Sequence, residues 1–203
     1  MYQKKASFFD SHAKSPWAVD DYSAEETAKL DRLFKIIGPL QGLSILEPGC
    51  GTGRLTEILT HRVGDQGRVV AIDISSMMID LACSRLKDRA NVVIQRESLE
   101  DLPLQEKSFD LIMCHQVFPH LEDKASNLRR MAWALKSGGR LIIFHLISFH
   151  EINDMHRKAG TAVEHDLLPG REEMTKLISE AGLNITLWED AGDSYLLLAQ
   201  KAP

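Results

Sequence analysis

Short apolar runs that stop at an acid or a glycine alternate along this chain with longer stretches whose apolar residues recur at helical spacing. The first run, Leu43, Ile45 and Leu46, has the composition of a buried strand and ends at Glu47. Thr52 to Arg62 follows, with Leu55, Ile58 and Leu59 on one face of a predicted helix. Gly67 to Asp73 reads as a second strand, and Met77, Met78, Leu81 and Ala82 form a helical stripe beyond it. Asn91–Gln95 and Phe109–Cys114 are further strands. Near the end, Ile185–Trp188 and Tyr195–Gln200 flank Glu-Asp-Ala-Gly-Asp, which predicts a hairpin. This alternation argues for an α/β fold, a mostly parallel sheet covered by helices on both faces.

Between the first strand and its helix stand Gly49, Gly51 and Gly53, three glycines at every second position. A strand, a glycine loop and a helix let backbone approach a bound nucleoside, because glycine lacks a Cβ. Glu47 at the strand tip would repel a pyrophosphate and suits a cationic or hydroxyl-rich ligand. The dinucleotide pattern G-x-G-x-x-G fails in both registers, since its last position falls on Arg54 or Thr56. The second strand also ends in an acid, Asp73, 20 residues beyond Gly53. A carboxylate there can accept both hydroxyls of a ribose.

Glu-x-Gly-x-Gly-x-Gly, followed by the second acid-tipped strand, closely resembles the first motifs of the class I S-adenosylmethionine-dependent methyltransferases that act on small molecules. The likeness covers about residues 40–146 motif by motif and the tail through 200 by pattern. It implies a Rossmann-like, seven-stranded, mostly parallel sheet with an antiparallel last strand, and S-adenosylmethionine as cofactor. Ala134–Phe144 matches the family's helix, Gly-Gly turn and fifth strand. The resemblance places Glu47, Gly49, Cys50, Gly51 and Gly53 along the cofactor, and Asp73 on its ribose. Ile74 and Met78 would sandwich the adenine, although Met78 also reads as helix core. Many relatives carry an acid where Ser98 stands, so either the Ser98 hydroxyl or backbone near Leu99 would meet the adenine amino group. Relatives also fold an amino-terminal segment over the cleft. Residues 1–22 would form such a flap, with Phe8, Phe9 and Trp17 as a lid and His12 part of it. The same aromatics read equally well as docking a terminus onto the surface.

Histidine gives the chain its second unusual feature. Six of the eight histidines lie between positions 115 and 165, which the strand pattern places at one edge of the fold. His115 and His145 end the fourth and fifth strands, where ligands of open α/β sheets lie. His120 follows in the loop Val117–Leu121. Residues 148–170 form a histidine-rich insertion whose helix would present His150, Asn153 and His156 on one face and stop at Gly160. Three readings stay open: independent surface or hydrogen-bonded histidines, an acceptor pocket with a general base, and a metal site. The base candidates are His145 first, then His115 and His120. No metal is expected from spacing, because no dense ligand pair is present; His120, His145, His156 and His165 are the residues that would hold one. His61 reads as solvent-facing.

Composition narrows the partners. At 203 residues the chain is expected to form one domain over 1–203. A net charge of −5 with no basic stripe disfavours nucleic acid, and Lys4-Lys5 and Arg129-Arg130 read as solvated surface. Cys50, Cys83 and Cys114 give no disulfide framework, and no apolar run suggests a signal peptide or a membrane span. A cytoplasmic methyltransferase with a small-molecule acceptor is the expectation. The alternatives are a dehydrogenase-like Rossmann enzyme, a metal-assisted methyltransferase, and a protein that holds S-adenosylmethionine or a metal without turnover. Oligomeric state is not legible.

Overall fold

In the computed structural model, residues 2–159, 162–190 and 192–203 are described. By internal packing the chain divides into two compact units, Met1–Arg96 and Glu97–Pro203.

The first unit opens with three helices, α1 (Tyr2–His12), α2 (Pro16–Val19) and α3 (Ala24–Ile37). Ser23 caps α3 by accepting from Glu26 N, while the Glu26 carboxylate accepts from Ser23 N, a reciprocal capping box. Then β1 (Ser44–Pro48), α4 (Arg54–Val63), β2 (Arg68–Asp73), α5 (Ser76–Arg85) and β3 (Val92–Arg96) alternate. Ile45, Leu46, Val69, Ala71 and Ile72 are buried, as strands covered on both faces require. Helix α4 starts at Arg54, two residues later than its periodicity predicts, because Gly53 takes φ +82° at the N-cap and keeps Thr52 in the loop. A Cβ on Gly53 would meet Ala82 Cβ at 3.3 Å and Leu86 Cδ1 at 3.1 Å, so this glycine also lets α5 pack close.

The second unit holds β4 (Phe109–His115), a short 3₁₀ turn (Phe118–His120), α6 (Lys124–Ala134) and β5 (Leu135–His145). It continues with α7 (Phe149–Ala159), α8 (Arg171–Glu180), β6 (Leu183–Asp190) and β7 (Tyr195–Lys201). The expected Gly-Gly turn before the fifth strand is instead a bulge within β5. Phe109 pairs with Leu135 and Leu111 with Arg140, so the intervening residues loop out where Gly138 has φ +72°. The predicted hairpin forms as β6 and β7. Ala191 in its turn and the predicted stop at Gly160 lie outside the described residues.

The strands make one seven-stranded sheet in the order β3-β2-β1-β4-β5-β7-β6. Strand β7 runs antiparallel to both β5 and β6, and the pairs β1·β2, β2·β3 and β4·β5 are parallel. This is the Rossmann-like sheet that the strand pattern and the resemblance anticipate. Among the described residues no helix is long and apolar enough to cross a membrane.

Two expectations about surface charge are corrected. Lys5 is buried on α1 rather than solvated. Arg130 is half-buried, because its guanidinium donates to the carbonyls of Leu99 at 3.2 Å and Leu102 at 2.6 Å.

Candidate active site

In the first unit, the glycine loop is tied to the tips of two strands. Cys50 N donates to the Ile72 carbonyl at 3.0 Å, and Gly51 N donates to Asp73 Oδ2 at 2.9 Å. Asp73 Oδ1 accepts from Ser75 N at 2.9 Å. Asp73 thus fixes the loop by accepting at both oxygens, and an ionised carboxylate is an acceptor-only group. Gly49, Gly51 and Ile74 are half-buried, and Cys50 and Gly53 are buried. Burial pushes the Cys50 thiol well up, with Asp73 and Glu47 adding to the effect, so it is a packing group and not a nucleophile.

Glu47 ends β1 at 2% exposure. Among the described residues its Oε2 has no hydrogen-bond partner. Burial pushes its carboxyl up to about 8; Thr56 beside it draws the value back, and the Asp73 charge adds to the rise. A carboxylate stripped of water and left unpaired is costly. A ligand bringing a cation or an N–H donor would remove that cost, and this is the observation by which the site fits the amino group of S-adenosylmethionine.

The amino-terminal segment docks on this loop through three consecutive carbonyls. Arg54 Nη1 donates to Trp17 O at 2.6 Å, Thr52 Oγ1 to Ala18 O, and Arg85 Nη2 to Val19 O at 3.0 Å. Asp10 accepts from Ser75 Oγ at 2.6 Å and Met77 N at 3.0 Å, at the start of α5. Ala13 and Ala18 are buried against Met78, with Phe9, Val19 and Leu81 around them. The aromatics behave differently from one another: Phe9 joins this cluster, Phe8 packs on His12, and the Trp17 side chain is 53% exposed. Met78 thus forms part of the core that seats the amino-terminal segment. Asp10, Thr52 and Arg54 escaped the sequence reading, since nothing local marks a carboxylate that caps a helix far along the chain.

In the second unit, the Ser98 hydroxyl is engaged locally. It donates to Asp101 Oδ2 at 2.7 Å and accepts from Asp101 N at 3.1 Å, closing a turn. Leu99 is buried, and Arg130 and Asn127 of α6 brace the loop, Asn127 through Glu100. The Ser98 hydroxyl is thus engaged within its own turn.

The histidines separate into an inner group and an outer one. His115 is buried, stacked on Phe144 at 5.5 Å, with its Nδ1 donating to the Phe144 carbonyl at 3.3 Å. His120 Nδ1 lies 2.9 Å from Asp166 Oδ2, and its ring is 4.8 Å from that of His156. His156 Nδ1 donates to the Asp166 carbonyl. Burial, reinforced by His120, lowers the pKa of His156. Asn153 holds the Asp166 segment by a two-way pairing with Leu168, Nδ2 to O at 3.1 Å and Oδ1 from N at 2.8 Å. His145 is buried, and its pKa is held well below the ordinary range by burial and then by His115, His120 and His156.

His150 and His165 do not join them. The α7 face that buries Asn153 and His156 turns His150 to solvent, because steps of three residues drift around a helix. His165 is 93% exposed and faces Glu164 at 3.5 Å. Among the described residues no group of three His, Cys, Asp or Glu is placed to hold a metal ion. His61 is exposed, as expected. Asp166 was visible in sequence as a neighbour of His165, but only folding pairs it with His120.

An α/β sheet of this order, with a glycine loop between two acid-tipped strands, defines a class I methyltransferase architecture. A methyltransferase-domain family model matches residues 46–143. The ubiquinone/menaquinone biosynthesis C-methyltransferase UbiE of Vibrio campbellii is 32% identical over 84% of this chain and 67% of its own length. The O-methyltransferase cnsE of Penicillium expansum is 32% identical over 82% of this chain and 63% of its own. The chain therefore spans about two thirds of the length of these relatives. A solved S-adenosylmethionine-dependent methyltransferase from Aquifex aeolicus shares the fold, with a TM-score of 0.76 at 23% identity over 94% of this chain and 97% of its own. The chain belongs to the class I S-adenosylmethionine-dependent methyltransferases, whose cosubstrate is S-adenosylmethionine.

Proposed function

We propose that this protein transfers the methyl group of S-adenosylmethionine to a small-molecule acceptor, with His120 as the general base and Asp166 as the residue that holds it. The cosubstrate supplies a methyl carbon already activated by its sulfonium. The protein's task is then to orient an acceptor lone pair in line with that carbon, which is worth about 7–11 kcal/mol. Glu47 would take the amino group of the cosubstrate, Asp73 its ribose hydroxyls, and Gly49, Gly51 and Gly53 would let it lie against backbone. One relative is named for C-methylation in quinone biosynthesis and another for O-methylation. Both names favour a small acceptor that loses a proton when methylated.

The pairing of His120 Nδ1 with Asp166 at 2.9 Å carries the assignment of the base. A carboxylate that accepts from Nδ1–H fixes the tautomer, leaves Nε2 as the proton acceptor, and stabilises the imidazolium that forms. Such a base contributes roughly 10²–10⁴-fold to the rate. His145, the first candidate by position, is the weaker base, because burial holds it neutral.

Metal-free protein is expected to bind S-adenosylhomocysteine with micromolar affinity by calorimetry. Against a panel of phenolic, enolic and carboxylic acceptors, His120→Ala is expected to cut S-adenosylhomocysteine release about 100-fold or more with cosubstrate affinity unchanged. Asp166→Asn should lower turnover with cosubstrate affinity unchanged. Full turnover by His120→Ala would move the base elsewhere, and absent cosubstrate binding would end the methyltransferase reading.

A further inference from the structure

Among the described residues, two buried polar atoms on neighbouring strands of the second unit stand without a hydrogen-bond partner: His145 Nε2 and the Tyr195 hydroxyl. The two residues are register partners across β5 and β7, at the carboxyl end of β5. Their rings meet edge to face with centroids 6.2 Å apart. His145 is 4% exposed and Tyr195 is 1% exposed, so water does not serve them from bulk. The Trp188 ring also meets Tyr195 edge to face at 5.9 Å, with the Arg171 guanidinium 4.8 Å over the Trp188 ring. A buried donor that is left unsatisfied is destabilising, and core packing alone would favour Phe and Leu at these positions.

Building on the methyltransferase reading, we propose that His145 Nε2–H and the Tyr195 hydroxyl form the oxygen-binding subsite of the acceptor, and that the acceptor is a phenol or enol. Both groups are neutral donors in a dry setting: the imidazole is kept uncharged and the phenol keeps its proton. Two such donors suit one oxygen that carries negative charge, in the way an oxyanion hole does. They also bear on which atom is methylated. Hydrogen bonds to both exposed lone pairs of the oxygen leave the adjacent carbon as the nucleophile. The acceptor O–H proton passes to His120, the carbon forms the new bond to the methyl group, and the carbon–sulfur pair returns to sulfur as S-adenosylhomocysteine leaves. After His120 has passed its proton to solvent, the hydrogen on the methylated carbon leaves as a proton and the oxygen takes one up, which restores the phenol or enol. The net products are the C-methylated acceptor, S-adenosylhomocysteine and one proton.

The test uses 4-nitrophenol, whose absorbance reports ionisation, added to the full chain saturated with S-adenosylhomocysteine. Wild-type protein should bind it saturably, with the bound dye shifted toward the phenolate spectrum. 4-Nitroanisole, which has no acidic oxygen, should bind at least tenfold more weakly. Tyr195→Phe and His145→Leu should each weaken 4-nitrophenol at least tenfold, with no further effect on 4-nitroanisole. His145→Gln, which keeps an N–H near the position of Nε2, should recover most of the loss. A purely structural role predicts the opposite order at position 145, with Leu tolerated and Gln harmful. Tyr195→Phe should also melt at or above the wild-type temperature, so lost binding would not reflect unfolding. No saturable 4-nitrophenol binding, or equal affinity across the series, overturns the subsite while intact S-adenosylhomocysteine binding leaves the methyltransferase reading standing. Failure of S-adenosylhomocysteine to bind wild-type protein overturns both.

Discussion

Glu47 puts a carboxylate at 2% exposure where, among the described residues, Oε2 has no donor. Unfolded, such a group titrates near 4.5; folded, burial raises it to about 8. Between those values the folded chain keeps a proton that the unfolded chain has lost, so stability falls as pH rises, by about 1.4 kcal/mol per pH unit at most. The melting temperature of the ligand-free protein should therefore drop between pH 5 and pH 8, and Glu47→Gln should flatten that slope. A cationic ligand amino group would restore the charged form. S-adenosylhomocysteine binding at pH 7 should then release up to about one proton more in wild type than in Glu47→Gln, read by calorimetry in buffers of different ionisation heat. Equal proton release would remove Glu47 from the ligand. Asp73→Ala loses the acceptor of two backbone N–H groups as well as of any ribose bonds. Its expected cost to S-adenosylhomocysteine affinity is about 1.5–3 kcal/mol.

Among the elements, the paired helices α1 and α2 have the distinctive role. Their attachment is polar and concentrated: Asp10 at the start of α5, and the carbonyls of Trp17, Ala18 and Val19 on side chains of the loop, α4 and α5. Burial raises the Asp10 pKa, but bonds from Ser75, Met77 and Ser76 outweigh it and hold the group below 3.8. A depressed carboxylate stabilises above its unfolded pKa and ceases to do so as pH falls through the folded one. The attachment is thus complete at neutral pH and weakens only in acid below about 4. Asp10→Ala removes a helix-capping acceptor worth roughly 0.5–2 kcal/mol. Hydrogen exchange should show residues 2–19 losing protection while β1 and β2 keep theirs. Uniform loss across the unit would mean that residues 2–19 are an integral part of its core.

Over the whole molecule, ligand binding is linked to stability. A ligand at 100 times its Kd adds about 2.7 kcal/mol to a state that alone binds it. For a chain of this size that corresponds to a rise of roughly 5–10 °C in Tm. S-adenosylhomocysteine should produce it in wild type and in His120→Ala, and much less in Asp73→Ala at the same concentration. An equal rise in all three would place the ligand away from the carboxyl ends of β1 and β2.

Much of the fold was legible because its signals are local. Apolar runs of strand length, helical stripes and the sterics of Gly49, Gly51 and Gly53 act within a few residues, and so do the acids that end β1 and β2. The Gly-Gly bulge in β5 reads as a turn in sequence, since sequence shows where glycine bends the chain but not whether a neighbouring strand keeps pairing beyond it. The histidine edge was legible only as a cluster. Which histidines meet was decided by tertiary structure: α7 turns Asn153 and His156 inward and His150 outward, and the Asn153–Leu168 pairing brings Asp166 to His120, 46 residues away. The β5·β7 register sets Tyr195 beside His145. The sequence by itself determined the alternation of elements and the glycine loop between two acids, because backbone sterics and hydrophobic period need no distant partner. Only the tertiary structure decided which imidazole is held by a carboxylate and which is left with an open donor, because burial and pairing are properties of residues that the chain brings together.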